Sequence, residues 1–328
     1  MQTIPFTFRA MQELEVGPKW QAHFEEHWPA YREWFLSEGE EARPSYATSV
    51  RMLRAHMPEL MPAYERLVDL AGGGDLAARF LAMYRPPPYL AACSQGAWTR
   101  GDPMLVRNYD YAPSRLEGVM FSSRLLERRV IGMSDSLWGL LDGINEDGLV
   151  VSLTFGGRQI VGDGFGIPLV VRYLLETCST VEEARAALAR LPFNLAHNLT
   201  LLDRTGAVLT AYLSPDREPI FRAFPVATNH QGIVEWVEQA RATRTVERER
   251  YLLGVLDDPD VTPEGFAEAF LGPHLYSDAG GFATLYTAVY LPAEARVEYR
   301  WPRFTWPQSF ARFTEGTHRE ELAEGSVA

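Results

Sequence analysis

Three consecutive prolines, Pro86-Pro87-Pro88, divide this chain into two regimes. Each proline fixes φ and lacks an N–H, so no helix passes through the run and the chain there must be extended. Upstream, over residues 10–83, apolar side chains recur at helical spacing: Trp20, Phe24 and Trp28, then Leu67, Leu70, Leu76, Phe80 and Leu81. Downstream, from Tyr89 to Phe155, the period changes to two. Met104, Val106 and residues 150–155 read as strands, with turns at Gly101-Asp102-Pro103 and Asn145-Glu146-Asp147-Gly148.

Later segments alternate in character. Residues 167–177 read as a helix, and a second helix starts at Thr180, where Thr180 and Glu183 have capping-box spacing. Residues 198–214 read as a hairpin around Asp203-Arg204-Thr205-Gly206, and 224–228 as a strand. Residues 234–255 read as one long helix, and a last hairpin brackets Leu291-Pro292-Ala293-Glu294. Blocks of strands separated by blocks of helices point to a layered α+β fold rather than a doubly wound parallel sheet.

Composition removes several classes of function. Of 328 residues, 46% are hydrophobic and 23% charged, an ordinary globular balance. The net charge of −12, without basic clusters, argues against nucleic acid as a partner. Met1 to Met11 has no signal-like apolar run, and no stretch of 18 apolar residues exists, so the expectation is a soluble cytoplasmic chain without a membrane partner. The glycines of Gly162-Asp163-Gly164-Phe165-Gly166 lack the preceding strand and the spacing of a dinucleotide loop, and no cofactor is called for.

Two places carry residues suited to chemistry. His23-Phe24-Glu25-Glu26-His27 matches the H-x-x-E-H pattern of inverted zinc proteases, in which histidines at i and i+4 face one metal and Glu26 activates its water. The same helix already carries an aromatic stripe, and Pro29 falls where a metal site needs rigidity. A packing helix without metal is the expectation there. The second place is Cys93-Ser94-Gln95-Gly96, followed after a turn by Arg107-Asn108-Tyr109-Asp110-Tyr111. An antiparallel return across Gly101-Asp102-Pro103 brings Arg107 to Asp110 back beside Cys93. Alternation puts Arg107 and the tyrosines on one face and Asp110 on the other unless a bulge intervenes. A guanidinium beside a thiol favours the thiolate, the nucleophilic form. A buried structural cysteine with a surface Arg–Asp pair is the competing reading.

Cys-Ser followed by Arg-Asn-x-Asp resembles the N-terminal-nucleophile (Ntn) cysteine hydrolases: the choloylglycine hydrolases (bile-salt and penicillin V amidases) and the autoproteolytic acyltransferases acting on 6-aminopenicillanic acid. Further landmarks come in the family's order. Asp142-Gly143-Ile144-Asn145-Glu146-Asp147-Gly148-Leu149 resembles its Asn-Glu-x-Gly-Leu hairpin, and Ile167-Pro168 with the helix to Thr177, then Val181-Glu182-Glu183-Ala184, its paired helices. Residues 199–210 resemble its Asp-x-x-Gly hairpin, Ala227-Thr228-Asn229 its Thr-Asn turn, and Thr284-Leu285-Tyr286 is a fainter echo.

The resemblance implies a four-layer α/β/β/α sandwich of two antiparallel sheets. Residues 1–92 would be a helical N-terminal prosegment and 93–328 the catalytic domain. Cys93 would be the nucleophile and, once freed by self-cleavage after Ala92, would use its own α-amine as base. Arg107 would flank the thiol, Asp110 hold the α-amine, and Asn229 stabilise the oxyanion. Arg248, in Thr245-Val246-Glu247-Arg248, would be the late catalytic arginine. The bile-salt enzymes have a second oxyanion asparagine where this chain reads Ser152-Leu153-Thr154-Phe155, leaving Thr154 as the candidate donor. The acyltransferase branch usually has Gly before the cysteine, and here it is Ala92. Tyr109 and Phe155, with Trp98 and Tyr111, fit an acyl pocket as well as they fit a core. The implied partner is a small acyl amide, with an acyl donor such as acyl-CoA and a homo-oligomer both compatible. Two other readings stay open: an inactive, uncut homologue with a binding role, and the zinc protease of His23, Glu26 and His27.

Overall fold

In the computed structural model, residues 3–278 and 283–323 are described. The chain opens not with a helix but with a strand, β1 (Thr3–Gln12), in which Phe6, Phe8 and Ala10 alternate inward. Helices α1 (Pro18–Phe35), α2 (Tyr46–His56), α3 (Met61–Leu70) and α4 (Asp75–Leu81) follow. The expectation of a purely helical N-terminal segment is thereby corrected: residues 10–12 belong to β1, whose period-two pattern is short but regular. Helix α1 runs through Pro29 unbroken. Pro29 lies on the exposed face, where water can satisfy the carbonyl that loses its intrahelical donor.

After the prolines come β2 (Ala92–Trp98), β3 (Met104–Tyr111), β4 (Val119–Ser123), β5 (Val130–Asp135), β6 (Gly139–Asn145) and β7 (Val150–Phe155). Helices α5 (Ile167–Thr177) and α6 (Val181–Leu188) precede β8 (His197–Leu202), β9 (Val208–Ser214), β10 (Arg217–Arg222) and the short β11 (Val226–Ala227). The Thr180 side chain caps α6 by accepting from the Glu183 N–H at 3.2 Å, while Glu183 bonds back to the N–H of Ser179. The expected helix over 234–255 is two helices, α7 (Val237–Ala242) and α8 (Thr245–Asp257). They are broken at Arg244, which adopts a left-handed φ of 51°. Helix α9 (Pro263–Ala269) and strands β12 (Ala283–Leu291), β13 (Arg296–Trp301), β14 (Phe304–Ser309) and β15 (Gly316–Ala323) complete the described chain.

The strands form a nine-stranded sheet, β10-β9-β8-β7-β6-β5-β4-β1-β15, and a six-stranded sheet, β11-β2-β3-β12-β13-β14. The sheets face one another through β2 against β7 and β8. Helices α5 and α6 cover the outer face of the larger sheet, and α8 packs on β2 and β11 of the smaller one. Phe266 and Phe270, at and just beyond α9, complete that outer layer over Trp98, Met104 and Val289. The result is the four-layer α/β/β/α sandwich. One pairing departs from wholly antiparallel sheets: β1 runs parallel to β4 and antiparallel to β15. The N-terminal segment therefore supplies an interior strand to the larger sheet. Among the described residues, no helix is long and apolar enough to cross a membrane.

Candidate active site

Strands β2 and β3 pair so that Cys93 lies opposite Tyr109, Gln95 opposite Arg107 and Ala92 opposite Asp110. The pleat sorts these residues into two faces. Odd-numbered side chains point at the larger sheet: Gln95 lies 2.6 Å from Ser152 Oγ and 2.8 Å from Thr200 Oγ1, while Arg107 reaches Asp142 on β6. Even-numbered ones point at the outer helices: Asn108 Nδ2 donates to the Phe270 carbonyl, and Ser94 and Asp110 meet Arg248 of α8. Cys93, at the mouth of the hairpin, is reached from both faces.

On the first face, Arg107 Nη2 donates to Cys93 Sγ at 3.2 Å. Its Nη1 is held by Asp142 Oδ2 at 2.5 Å and the Leu141 carbonyl at 2.9 Å. Asp142 also accepts from the hydroxyls of Tyr286 and Tyr290, so the guanidinium is anchored by a fully buried carboxylate that is itself saturated. On the second face, Arg248 Nη1 donates to the Cys93 carbonyl at 2.7 Å, Ser94 Oγ at 2.8 Å and Asp110 Oδ2 at 3.4 Å. Its Nη2 donates to Asn229 Oδ1 at 2.6 Å. Asp110 Oδ1 accepts from Thr284 Oγ1 at 2.7 Å, beside the bulge in the β3–β12 ladder.

Asn229 completes the arrangement. Its Oδ1 accepts the Cys93 backbone N–H at 3.1 Å, and its Nδ2 donates to the carbonyls of Phe155 at 3.2 Å and Ala91 at 3.4 Å. The Asn229 N–H donates to Thr245 Oγ1 at 2.7 Å. The left-handed Gly157 leaves room for this turn: a Cβ there would fall 2.2 Å from the Asn229 carbonyl oxygen. Thr154 gives its hydroxyl proton to the Thr228 carbonyl at 2.7 Å and accepts from Asn198 Nδ2 at 3.1 Å, so its donor is engaged within the sheet. Phe155 contributes its carbonyl to Asn229, while its ring meets His197 and Trp236.

Burial governs the protonation of this cluster. It pushes the Cys93 thiol up to about 11, against the pull of Arg107, with the Asp110 carboxyl adding to the rise. Burial likewise lifts Asp110 to about 6, although Arg248 and the Thr284 hydrogen bond oppose it. Burial lowers Arg248, and Asp110 and Cys93 only partly compensate. The resting thiol is thus neutral, and a base must take its proton before it reacts.

Residues Asp142, Tyr286, Tyr290 and Thr284 were not singled out individually in the sequence. Only the tertiary pairing of β3, β6 and β12 collects them around Arg107 and Asp110. A cavity of about 440 Å³ begins at Tyr109, the cross-strand neighbour of Cys93, and is bounded on its far side by α1.

The H-x-x-E-H residues also meet: ligand atoms of His23, Glu26 and His27 lie within 4.8 Å of one another. That space is contested by Arg9, whose Nη2 lies 3.1 Å from Glu26 and 3.4 Å from His23 Nδ1. His23 Nε2 faces Glu117 at 3.0 Å, and His27 Nδ1 lies 3.1 Å from the His23 carbonyl. A cation on these three residues would sit against a guanidinium.

A four-layer sandwich with a cysteine at the mouth of a central hairpin is the frame of an Ntn hydrolase. The family model for acyl-coenzyme A:6-aminopenicillanic acid acyl-transferase matches residues 98–306, and the chain belongs to that family. It is an enzyme of the Ntn amidohydrolase and acyltransferase type. The match begins five residues after Cys93. No curated protein matches the chain in sequence. Among solved structures, a variant of conjugated bile acid hydrolase from Clostridium perfringens superposes with a TM-score of 0.46 at 14% identity, covering 72% of this chain and 98% of that one. Penicillin V acylase from Agrobacterium tumefaciens gives 0.46 at 14% identity, over 71% and 95%. A Caenorhabditis elegans orthologue of N-acylethanolamine-hydrolyzing acid amidase gives 0.46 at 17% identity, over 65% and 98%.

Proposed function

We propose that the chain cleaves itself between Ala92 and Cys93 and then hydrolyses, or transfers the acyl group of, linear amides of small acylated molecules, with Cys93 as nucleophile. The observation that carries this reading is the convergence on one residue: Arg107 on the Cys93 thiol, Asn229 on its backbone N–H and Arg248 on its carbonyl. In the self-cleavage, Sγ attacks the Ala92 carbonyl and the Ala92–Cys93 amide breaks. The acyl group passes to sulfur while the nitrogen takes up the thiol proton and becomes the free α-amine. Water then hydrolyses the thioester, leaving the Ala92 carboxylate and the thiol.

The same parts then serve turnover. The α-amine takes the thiol proton that burial otherwise holds, and Asn229 Oδ1, already on that nitrogen, orients it, with Asp110 offsetting its charge when protonated. Arg107 stabilises the thiolate. Departure of the 91–92 segment removes one acceptor from Asn229 Nδ2, which then donates to the oxyanion. The α-ammonium returns its proton to the leaving amine, and the thioester passes its acyl group to water or to an acceptor amine. An acyl-CoA donor enters the same scheme at the thioester stage. Strand β1 lies inside the larger sheet, so the cut segment stays bound.

Intact-mass measurement of purified protein should show fragments 1–92 and 93–328 that co-elute in native conditions. Cys93→Ala should stay whole, fold as wild type and lose turnover of a chromogenic acyl amide by about 10⁴-fold. A wild-type chain that remains uncut yet active would overturn the α-amine mechanism.

A further inference from the structure

The cavity that begins at Tyr109 has a chemical character of its own. Its walls include the rings of Tyr31 and Trp34 from α1, Tyr89 from the segment before the cut site, and Tyr109 and Tyr111 from β3. Cys93 itself does not line the cavity, but its cross-strand neighbour Tyr109 does, and Tyr89 and Tyr109 are both near enough to interact electrostatically with the thiol. One polar group within it lacks a hydrogen-bond partner, and one carboxyl lacks a cation. The hydroxyl of Tyr89 is buried without a hydrogen-bond partner. Asp135, at the end of β5, has the hydroxyls of Ser136, at 3.2 Å, and Tyr31 as hydrogen-bond partners, but makes no ion pair with arginine, lysine or histidine among the described residues.

The neighbouring Glu117 makes the contrast. It also lines the cavity, but it accepts from Ser134 Oγ at 2.9 Å, the Leu137 N–H at 2.7 Å and the Tyr31 hydroxyl, and it faces His23 at 3.0 Å. Its charge is fully compensated; that of Asp135 is not. Burial and the facing Glu117 lift the Asp135 carboxyl to about 7; hydrogen bonds from Ser136 and Tyr31 oppose the rise, but no cation of the protein does. Arg115, the arginine of the lining, is exposed at the rim and acts on Tyr111.

Resting on the Cys93 reading above, we infer that this cavity selects acyl amides that carry a cationic amine, held by the Asp135 carboxylate within a tyrosine and tryptophan enclosure. Aromatic faces attract a desolvated ammonium through their quadrupoles, and one unpaired carboxylate supplies its counter-charge. The Tyr89 hydroxyl oxygen, free of other bonds, accepts from the ammonium N–H. Because Tyr31, Trp34 and Tyr89 precede the cut site, the pocket is complete only while the N-terminal fragment remains bound. The cation can sit on either side of the scissile amide, and substrates distinguish the two.

Binding is tested first, independently of chemistry, by calorimetry with benzylammonium and its uncharged analogue ethylbenzene. The cation should bind wild-type protein at least about tenfold more tightly. Asp135→Asn should remove most of that preference, with Asp135→Ser as a second variant and circular dichroism as the check on folding. Turnover is then compared for matched anilides, 4-aminobutanoyl against pentanoyl, and for matched amides of butanoate, with 1,4-diaminobutane against pentylamine. One of the two cationic substrates should exceed its neutral partner at least about tenfold in kcat/KM, through KM, and Asp135→Asn should collapse that ratio. Equal binding of cation and neutral analogue, or a ratio unchanged in Asp135→Asn and Asp135→Ser, overturns the inference. Retained activity in Cys93→Ala would instead defeat the nucleophile assignment while leaving the binding result standing.

Discussion

Two buried clusters of ionisable groups invite comparison, one around Glu117 and one around Cys93. At Glu117 the carboxylate itself is matched by its donors. Burial alone would raise the carboxyl, yet His23, Tyr31 and the Leu137 N–H pull it down to about 2. At Cys93 the balance is reversed: one hydrogen bond from Arg107 fails to offset burial, and the thiol is held up at about 11. The first cluster ties α1 to the β5–β6 connection. The second holds a nucleophile away from its reactive state until a base is made beside it. Compensation marks an anchor; a deficit of compensation marks a site built to change.

Breaking the anchor should therefore cost stability. Glu117→Ala leaves His23, Tyr31, Ser134 and the Leu137 N–H without their shared acceptor, and should destabilise the fold by about 3–5 kcal/mol. Urea denaturation measures this. A loss below about 1 kcal/mol would show that the cluster anchors nothing.

Breaking the other cluster should cost rate instead. Asn229→Ala removes the donor proposed to meet the oxyanion, and turnover of an acyl amide should fall by about 10²–10³. Single-turnover kinetics should place the loss in kcat, with KM little changed. A loss confined to KM would assign Asn229 to substrate binding alone.

The two clusters also differed in how far the sequence disclosed them. The β2–β3 hairpin was legible because a turn of fixed length sets the register, so Cys93, Arg107 and Asp110 follow from counting. Even the split of Arg107 and Asp110 onto opposite faces follows from alternation. Asp142, which holds Arg107, and Tyr290, which holds Asp142, lie 35 and 183 positions from Arg107 in the chain, and although Asp142 opens the hairpin resemblance, nothing local pairs either with Arg107. The break at Arg244 was likewise hidden, because a left-handed arginine has no propensity mark of the kind glycine leaves. Strand β1 was missed for a different reason. Phe6, Phe8 and Ala10 alternate plainly, but the stronger helical pattern from Trp20 onward dominated the segment. Glu117 was invisible as the partner of His23, and without it the H-x-x-E-H spacing retained its metal reading.

Acid sharpens the comparison last and least. Glu117 has a folded pKa below its unfolded value, so its contribution to stability is present above about 4.5 and is lost as pH falls toward about 2. Asp110, lifted to about 6 by burial, has the opposite sign. Its contribution is full below about 3.8 and is lost as pH rises through about 6. Asp135, lifted toward about 7 by burial and by Glu117, acts in the same sense as Asp110. Stability measured by urea denaturation should thus rise as pH falls from 7 to about 4, then decline below that. Asp110→Asn should lessen the slope of the upper limb to the share that Asp135 supplies and leave the lower one, because its neutral amide no longer takes up a proton in that window. Glu117→Gln should flatten the lower limb, with any change in the upper one coming through Asp135, which loses its facing charge. An upper limb that keeps its full slope in Asp110→Asn would mean that Arg248 and Thr284 compensate Asp110 fully. The Cys93 cluster would then be as settled as its counterpart, and the contrast between anchor and site would have to rest on the thiol alone.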